Sequence, residues 1–542
     1  MKSQQNNDFK ISPRYIFLLM TIAVGILILW PGLNFQDLLS TGDHGRDLEA
    51  SQEVLRGKIV YQDYWWVYGP LMPYYYAVFY KLFGASIHSI LIGKFFIKLA
   101  AGIFCFLAVA SLYSPLTAMM TALWFWTFDQ DFFFTYSHIG GILMVTAVVW
   151  CLLRYVHKQN RSTLWQALAF CLVLALIKVN FGLSSLAVVV ASIFYVDRVN
   201  RVAFDAQKKL FYFCALFLFP IAVFLIYYQF LKPLPMYEIR QCLPYSNADQ
   251  PYNTTPWGAM MGFVQILWSE AKRSSVLLIF YVLSLLCFIQ TIILWVTNTL
   301  TAKQKTTLKV VAIVLGMYTL ANFHEFLKSG VWYRWFWAQP PLIVLSFILF
   351  ETVGTHLHKI IRTLLWSVIG LMIGIMTIQF WQTAIRNQTA SQFIEGNHGK
   401  VYVGNQPQWV ATVNETTKYL NTILKPEETF FALPYDILYY YLTDRPSPSR
   451  QTIFFEHINI PPQQEVKIIK EIEDKKINTI VLSNRYMSPE QGLGVLGTTY
   501  CPVIGNYIND NFAPVARFGD WKHMPGWGWS HGTMILKRKS SL

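Results

Sequence analysis

Residues 41–71, TGDHGRDLEASQEVLRGKIVYQDYWWVYGPL, bring five carboxylates, Asp43, Asp47, Glu49, Glu53 and Asp63, next to the rings of Trp65, Trp66 and Tyr68. A carboxylate can take the proton of a hydroxyl group as its oxygen attacks an electrophilic carbon. Aromatic faces suit the apolar faces of sugar rings. Farther along, Lys178 interrupts LIKVNFGL and Arg334 sits in WYRWFWAQPPL, with Lys94 and Lys98 as weaker candidates. Cations of this kind neutralise charge that builds on a departing phosphate. The set suits a sugar carried on a long isoprenoid phosphate, its tail in lipid, its phosphate at headgroup depth and its sugar in water.

The elements that must position these groups are membrane helices. Of 542 residues, 54% are hydrophobic and 14% charged, too apolar for an ordinary soluble domain. Runs such as YIFLLMTIAVGILILW (15–30) and SVLLIFYVLSLLCFIQTIILWV (275–296) are long enough to cross about 30 Å of hydrocarbon as helix. The first has no small-residue cleavage site behind it and reads as a retained span. The net charge of +14 is read as a topology signal and not as a nucleic-acid footprint. Basic clusters at Lys2–Arg14, Arg154–Arg161, Arg198–Lys209, Lys303–Lys309 and Lys359–Arg362 belong in the cytoplasm.

Between two cytoplasmic clusters the chain must cross an even number of times. Spans are therefore expected near 15–31, 88–112, 116–128, 139–153, twice within 164–196, near 210–230 and 275–297, twice between Lys309 and Lys359, and near 364–383. The total is about eleven, with the N-terminus inside and the C-terminus outside an inner (plasma) membrane. Residues 69–84 are expected to lie in the interface, because a span there would break the parity. The first loop (32–87), Asp129 and Asp131, the Lys178–Gly182 apex, LPYSNADQPYNTTPWG (243–258) and residues 323–337 then share the outer face. The resulting fold class is an all-α polytopic membrane region, residues 1–385, followed by a soluble outer α/β domain, residues 386–542. EVKIIKEIEDKK (465–476) has helical spacing, and TFFALPY (429–435), INTIVLS (477–483) and TMILKRK (533–539) read as strands.

The first loop resembles that of the polytopic GT-C glycosyltransferases, above all the protein O-mannosyltransferase and aminoarabinose transferase group. Such loops begin with an Asp, often Asp-Glu, followed by a short helix, a glycine and an aromatic segment holding an Asp and Gly-Pro. Here Asp43, the stretch Arg46–Arg56, Gly57, Asp63, Gly69 and Pro70 match, while His44 stands where many relatives have Glu. The resemblance implies that Asp43 is the catalytic base, with Asp47 and Asp63 as rivals. LIKVNFGL and WYRWFWAQPPL are similar to the Lys-Asn-Gly turn and the aromatic-Arg-aromatic stretch of bacterial members, which implies a donor-phosphate role for Lys178 and Arg334. Trp65, Trp66 and Tyr68 are the candidate sugar-binding rings. The implied reaction is inverting transfer of a sugar from a polyprenyl-phosphate donor to a glycan, lipid or protein acceptor. No cofactor is expected, and Asp129, Asp131 and His138 only loosely resemble ligands of a divalent cation.

Simpler roles compete at each position. Asp43 would serve as a helix N-cap. Asp47, Glu49 and Glu53 would form a wet helix face, and Asp63 would pair with Arg56 or Lys58. Lys178 would snorkel to headgroups, and Arg334 would anchor among aromatic rings at the interface. His324 and Glu325 read as a polar span end. Cys242 and Cys501 lie in polar segments and would be bridged only if the fold brings them together. At the level of the whole protein, the rivals are a transporter or flippase of lipid-linked saccharide, a scaffold, and a diphosphate-linked glycan polymerase or ligase. A transporter would place charge at mid-span in an internal repeat, and neither is visible in the sequence.

Overall fold

In hydrocarbon only a helix satisfies its own backbone within one segment, so the charge-free runs become helices. The computed structural model describes residues 13–33, 35–36, 42–127, 136–202, 204–242, 275–329, 332–389, 393–403, 406–486, 494–521, 526–528 and 531–541, with isolated positions between 255 and 268. Among the described residues, 8 helices are long and apolar enough to cross a bilayer. They are α1 (Pro13–Leu29, extended by a tight turn to Leu33), α4 (Ile87–Ala110), α6 (Tyr136–Lys158), α8 (Val179–Val199), α9 (Ala206–Leu231), α11 (Ser275–Val296), α14 (Gln339–Gly354, preceded by the 3-10 turn Trp332–Ala338) and α15 (Lys359–Thr389). The other three expected positions are also helical: α5 (Pro115–Thr127), α7 (Arg161–Ile177) and α12 (Ala302–Asn322).

Three shorter helices join them: α2 (Asp43–Leu55), α3 (Leu71–Phe83) and α10 (Met236–Cys242). With 13 residues, α3 is shorter than a spanning helix, in keeping with the interfacial position expected for residues 69–84, although the described part of α5 has the same length. A fourth, α13 (His324–Ser329), follows α12. The basic ends of α6 to α9 meet at one end of the bundle. There Lys208 Nζ lies 2.6 Å from Asp197 Oδ2, the Tyr155 hydroxyl donates to Asp197 Oδ1 at 2.6 Å, and Arg161 pairs with Asp205. Lys178, where α7 breaks into α8, is at the other end of α7.

After α15 the chain turns to mixed α/β structure. Its main sheet has the order β4 (Phe431–Leu433), β5 (Thr479–Tyr486), β8 (Gly532–Arg538), β6 (Phe512–Gly519), with β7 (Gly526–Gly528) beside β5. Strands β4 and β7 run parallel to β5 and β8 runs antiparallel to it, so Ile480 faces both Phe431 and Leu536. Helices α16 (Pro407–Ile423), α17 (Leu438–Thr443), α18 (Pro462–Asp474) and α19 (Pro502–Asn511) complete the layer. The expected strands and the 465–476 helix are found at these places.

The two regions are less separate than the sequence suggested. Strand β1 (Phe35–Gln36), from the first loop, pairs in parallel with β3 (Gly399–Val403), which pairs with β2 (Phe393–Gly396). Helix α2 packs between α3 and α17. The approach is so close that a Cβ on Gly45 would lie 2.3 Å from the Leu438 backbone nitrogen, which only glycine allows. Every residue from His44 to Glu53 is buried. The expected wet face of Glu49 and Glu53 is therefore a buried face, because the C-terminal region covers it.

Candidate active site

Asp43 opens α2 at its first helical position. It is not the N-cap, since Gly42 is, and no side chain caps this terminus. Its Oδ1 instead accepts hydrogen bonds from the Tyr435 hydroxyl at 2.7 Å and from Arg46 Nη1 at 3.2 Å. The same Arg46 Nη1 donates to the Tyr435 hydroxyl oxygen at 3.0 Å. The Asp43 side chain is 51% exposed, whereas that of Arg46 is 4% exposed. A carboxylate held by these donors and half exposed to solvent is placed to receive a proton from an incoming group.

Asp47 is used differently. Its Oδ1 takes both Arg46 Nε and Nη2, at 3.0 and 2.9 Å, and its Oδ2 takes the Tyr136 backbone N–H at 2.8 Å. Burial pushes its carboxyl up to about 6, against the pull of Arg46 and the Tyr136 N–H. Asp47 thus orients Arg46, and its lone pairs point into the protein. Asp63 is exposed and accepts the Ile59 backbone N–H at 2.7 Å, closing a turn, while Lys58 and Arg56 pair elsewhere.

Tyr68 joins this cluster to the second cation. Arg46 Cζ lies 4.9 Å from the Tyr68 ring centroid and 5.3 Å from that of Trp66, and Lys178 Nζ lies 5.5 Å from Tyr68. The loop is brought there by Gly69, whose N–H donates to the Ile177 carbonyl at 2.8 Å. A Cβ at Gly69 would lie 2.0 Å from the Leu176 carbonyl oxygen, so this docking requires glycine. Lys178 itself takes an extended backbone, φ −154° and ψ 103°, at the α7–α8 break. Its ammonium lies 2.6 Å from Glu325 Oε1 and 3.4 Å from His138 Nε2, with Phe181 and Trp337 ring centroids at 5.1 and 5.2 Å. Asn180 Nδ2 donates to Glu325 Oε1 at 2.8 Å. Lys178 is therefore buried and paired and does not snorkel, and Glu325 is its counter-ion and not merely a polar span end. A cation whose net charge is offset in this way can exchange a carboxylate for a phosphate.

Trp66 and Tyr68 thus lie against the candidate site, and Trp65 is buried beside the C-terminal region, its backbone N–H donating to the Arg450 carbonyl at 3.0 Å. Asp129 and Asp131 lie outside the described residues, and so does the side chain of Arg334, whose backbone belongs to the turn Trp332–Ala338. Lys94 is buried on α4 and Lys98 is half-buried. Cys242 and Cys501 are both free thiols: Cys242 contacts Arg450 Nη2 at 3.6 Å, and the fold does not bring the pair together. Among the described residues no group of three His, Cys, Asp or Glu side chains could hold a metal ion.

Beyond Arg46, two buried carboxylates of α2 enter an ionic cluster whose cations are partly exposed. Arg56 Nη1 lies 2.8 Å from Glu49 and 2.6 Å from Glu53, its Nη2 lies 2.9 Å from Asp444, and Lys58 pairs with Glu53. Gln52 Nε2 donates to the same Asp444 oxygen at 2.5 Å. Three carboxylates thus meet two cations. Burial, with repulsion from Glu53, raises Glu49 to about 8 against the pull of Arg56 and Lys58, so the cluster keeps a proton near neutrality.

Sequence reading passed over Arg46, Tyr435 and Glu325 as site residues. Arg46 carries a signal that could have been used, since residues 43, 46 and 47 share one helix face. Tyr435 carries none, because it reaches Asp43 from 392 positions away.

Comparison with known proteins places the fold. No family model and no curated protein matches the sequence. Among solved structures, the chain is similar to ArnT from Cupriavidus metallidurans in the apo state, at 13% identity and a TM-score of 0.60, over 97% of this chain and 98% of that one. It is similar to the same protein bound to undecaprenyl phosphate at 12% identity and a TM-score of 0.59, over 96% and 98%. A weaker likeness, 11% identity and a TM-score of 0.47 over 87% and 70%, is to the Archaeoglobus fulgidus oligosaccharyltransferase in the apo form. The fold is similar to that of ArnT in both states. It extends through the C-terminal region, since nearly the whole of both chains aligns with ArnT.

Proposed function

We propose that the protein is an inverting membrane glycosyltransferase that takes a sugar from a polyprenyl-phosphate donor on the outer face of an inner (plasma) membrane. The carrying observation is the half-exposed Asp43 carboxylate, held by Tyr435 and Arg46 on one side of the Tyr68 ring that Lys178 approaches too. In the reaction an acceptor hydroxyl of a glycan, lipid or protein attacks the anomeric carbon. Its proton passes to Asp43 as the new glycosidic C–O bond forms and the bond to the phosphate oxygen breaks. The electron pair leaves with the polyprenyl phosphate, whose charge is met by Lys178 and, as the sequence suggests, by Arg334. Undecaprenyl phosphate bound to ArnT, a protein of the same fold, supports a lipid-phosphate ligand.

Asp43 is preferred to Asp47, whose two oxygens are occupied inside the protein, and to Asp63, which closes a turn. No step needs a metal or another cofactor. The outward orientation rests on the basic clusters of the sequence, of which Arg154–Arg161 and Arg198–Lys209 meet at the end of α7 opposite Lys178. A transporter or flippase of lipid-linked saccharide remains the rival in another class, and a diphosphate-linked polymerase or ligase the rival within this one. Protein reconstituted in liposomes with a radiolabelled polyprenyl-phosphate sugar and an envelope extract is expected to transfer label, and Asp43→Asn to abolish it. Transfer that survives in Asp43→Asn overturns the base assignment. Movement of the lipid without transfer overturns the enzyme.

A further inference from the structure

Between α2 and the C-terminal region lies a cleft lined by Arg46, Glu49, Tyr64, Trp65, Ser447 and Thr452 among others. Its walls border about 330 Å³ of space, open solvent included, with room clear of the walls for a hydroxyl-sized group. Three polar atoms of its lining are buried with no hydrogen-bond partner: Glu49 Oε2, the Tyr64 hydroxyl and Trp65 Nε1. Trp65 is 5% exposed and Tyr64 7%. Leaving such groups unsatisfied costs roughly 1–3 kcal/mol each, so they are made for something that enters.

Their chemistry is selective. The indole N–H can only donate, the phenol does both, and Glu49 Oε2 donates when its carboxyl holds the cluster's proton and accepts when it does not. A phosphate would satisfy the indole but meet the carboxylates of Glu53 and Asp63; an ammonium would satisfy those carboxylates but leave the indole. A hydroxyl donates and accepts at once. Ring faces at Tyr64 and Trp65 and hydroxyls at Ser447 and Thr452 complete a lining suited to a sugar edge. Arg46 borders this cleft and also holds Asp43, so a group seated here leads toward the proposed base.

We propose that this cleft is a subsite for a neutral, hydroxyl-bearing saccharide, the acceptor of the reaction proposed above, on which this inference rests. One or two hydroxyls of the acceptor enter the cleft, the Trp65 N–H donating to one and the Glu49 carboxyl sharing a hydrogen bond with it, while the reacting hydroxyl extends along Arg46 to Asp43.

The test is direct binding without donor. Full-length protein in nanodiscs is titrated with methyl glycosides of glucose, galactose, mannose and N-acetylglucosamine, followed by saturation-transfer NMR. At least one is expected to bind wild type and to lose about tenfold affinity in Trp65→Phe, which keeps a ring and removes the N–H. Tyr64→Phe is the second variant, with the same expectation, should Trp65→Phe fail to fold as judged by helical circular dichroism. Binding by none of the four, or equal binding by wild type and the folded variants, overturns the subsite and leaves water as its occupant. Transfer activity that depends on Asp43 would survive that result, whereas loss of transfer with variant-sensitive binding intact would overturn the reaction and not the subsite.

Discussion

Replacing Tyr435 by Phe removes one hydroxyl from the centre of the site and leaves the ring. That hydroxyl donates to Asp43 Oδ1 at 2.7 Å and accepts from Arg46 Nη1 at 3.0 Å. A hydrogen bond to a charged group contributes about 1.5–3 kcal/mol. Since the Asp43 side chain is 51% exposed, water replaces part of the lost donor, and the low end of the range applies. About 1.4 kcal/mol corresponds to a tenfold effect. Arg46 Nη1 keeps its contact with Asp43 at 3.2 Å, so the loss in fold stability is expected to be small, on the order of 1 kcal/mol. Tyr435→Phe should therefore lower kcat/KM about tenfold with the donor KM unchanged, against a loss of roughly 10²–10⁴ for Asp43→Asn. The assay is initial-rate transfer from the radiolabelled donor in liposomes, with melting followed by tryptophan fluorescence. Full activity in Tyr435→Phe would refute the idea that the C-terminal region positions the base. A loss as large as that of Asp43→Asn would mean that Tyr435 acts on the acceptor itself.

Glu49→Gln tests the proton held in the ionic cluster. The folded state raises Glu49 from the ordinary carboxyl range to about 8, so it binds more protons than the unfolded chain between about pH 4.5 and 8, and stability is lost as pH rises through that window. With the shift shared among Glu53, Arg56 and Lys58, the loss is on the order of 2 kcal/mol, and Glu49→Gln should flatten it; a wild-type melting temperature that is level or rises from pH 5 to 8 would contradict this. Gly45→Ala sets a Cβ 2.3 Å from the Leu438 backbone nitrogen and should cost about 1–3 kcal/mol or more, loosening the C-terminal region and exposing its tyrosines to limited proteolysis. Lys178→Met removes the cation beside Glu325 and should destabilise the protein and abolish donor binding, measured by photo-crosslinking to a lipid phosphate. In Lys178→Met with Glu325→Gln, stability should recover while donor binding stays lost, since the charge that Lys178 offset is removed with it.

Much of this molecule is legible in the chain itself. Basic clusters separated by apolar runs force an even number of crossings, which placed Lys178 at a turn and residues 69–84 off a span, and the structure has a helix break at Lys178 and a 13-residue helix at Leu71–Phe83. Asp43 is marked as a candidate base by type and by the resemblance of its loop. The acidic stretch misled, because an Asp and Glu run at helical spacing describes a wet face as well as a buried one covered by something distant. Glu49 and Glu53 are buried because α17 packs on α2, and no local signal records that.

What the sequence alone determined is therefore what the bilayer dictates: which segments are helices and which of their ends meet. Those features follow from solvation, since backbone and charge tolerate hydrocarbon in few ways. The tertiary structure decided roles among like residues. Asp43 and Asp47 are both aspartates on one helix face, yet one is held by Tyr435 and left half open while the other is enclosed by Arg46 and the Tyr136 N–H. The partners come from residues tens to hundreds of positions away, and a carboxylate's chemistry depends on the dielectric and the hydrogen bonds those partners create around it.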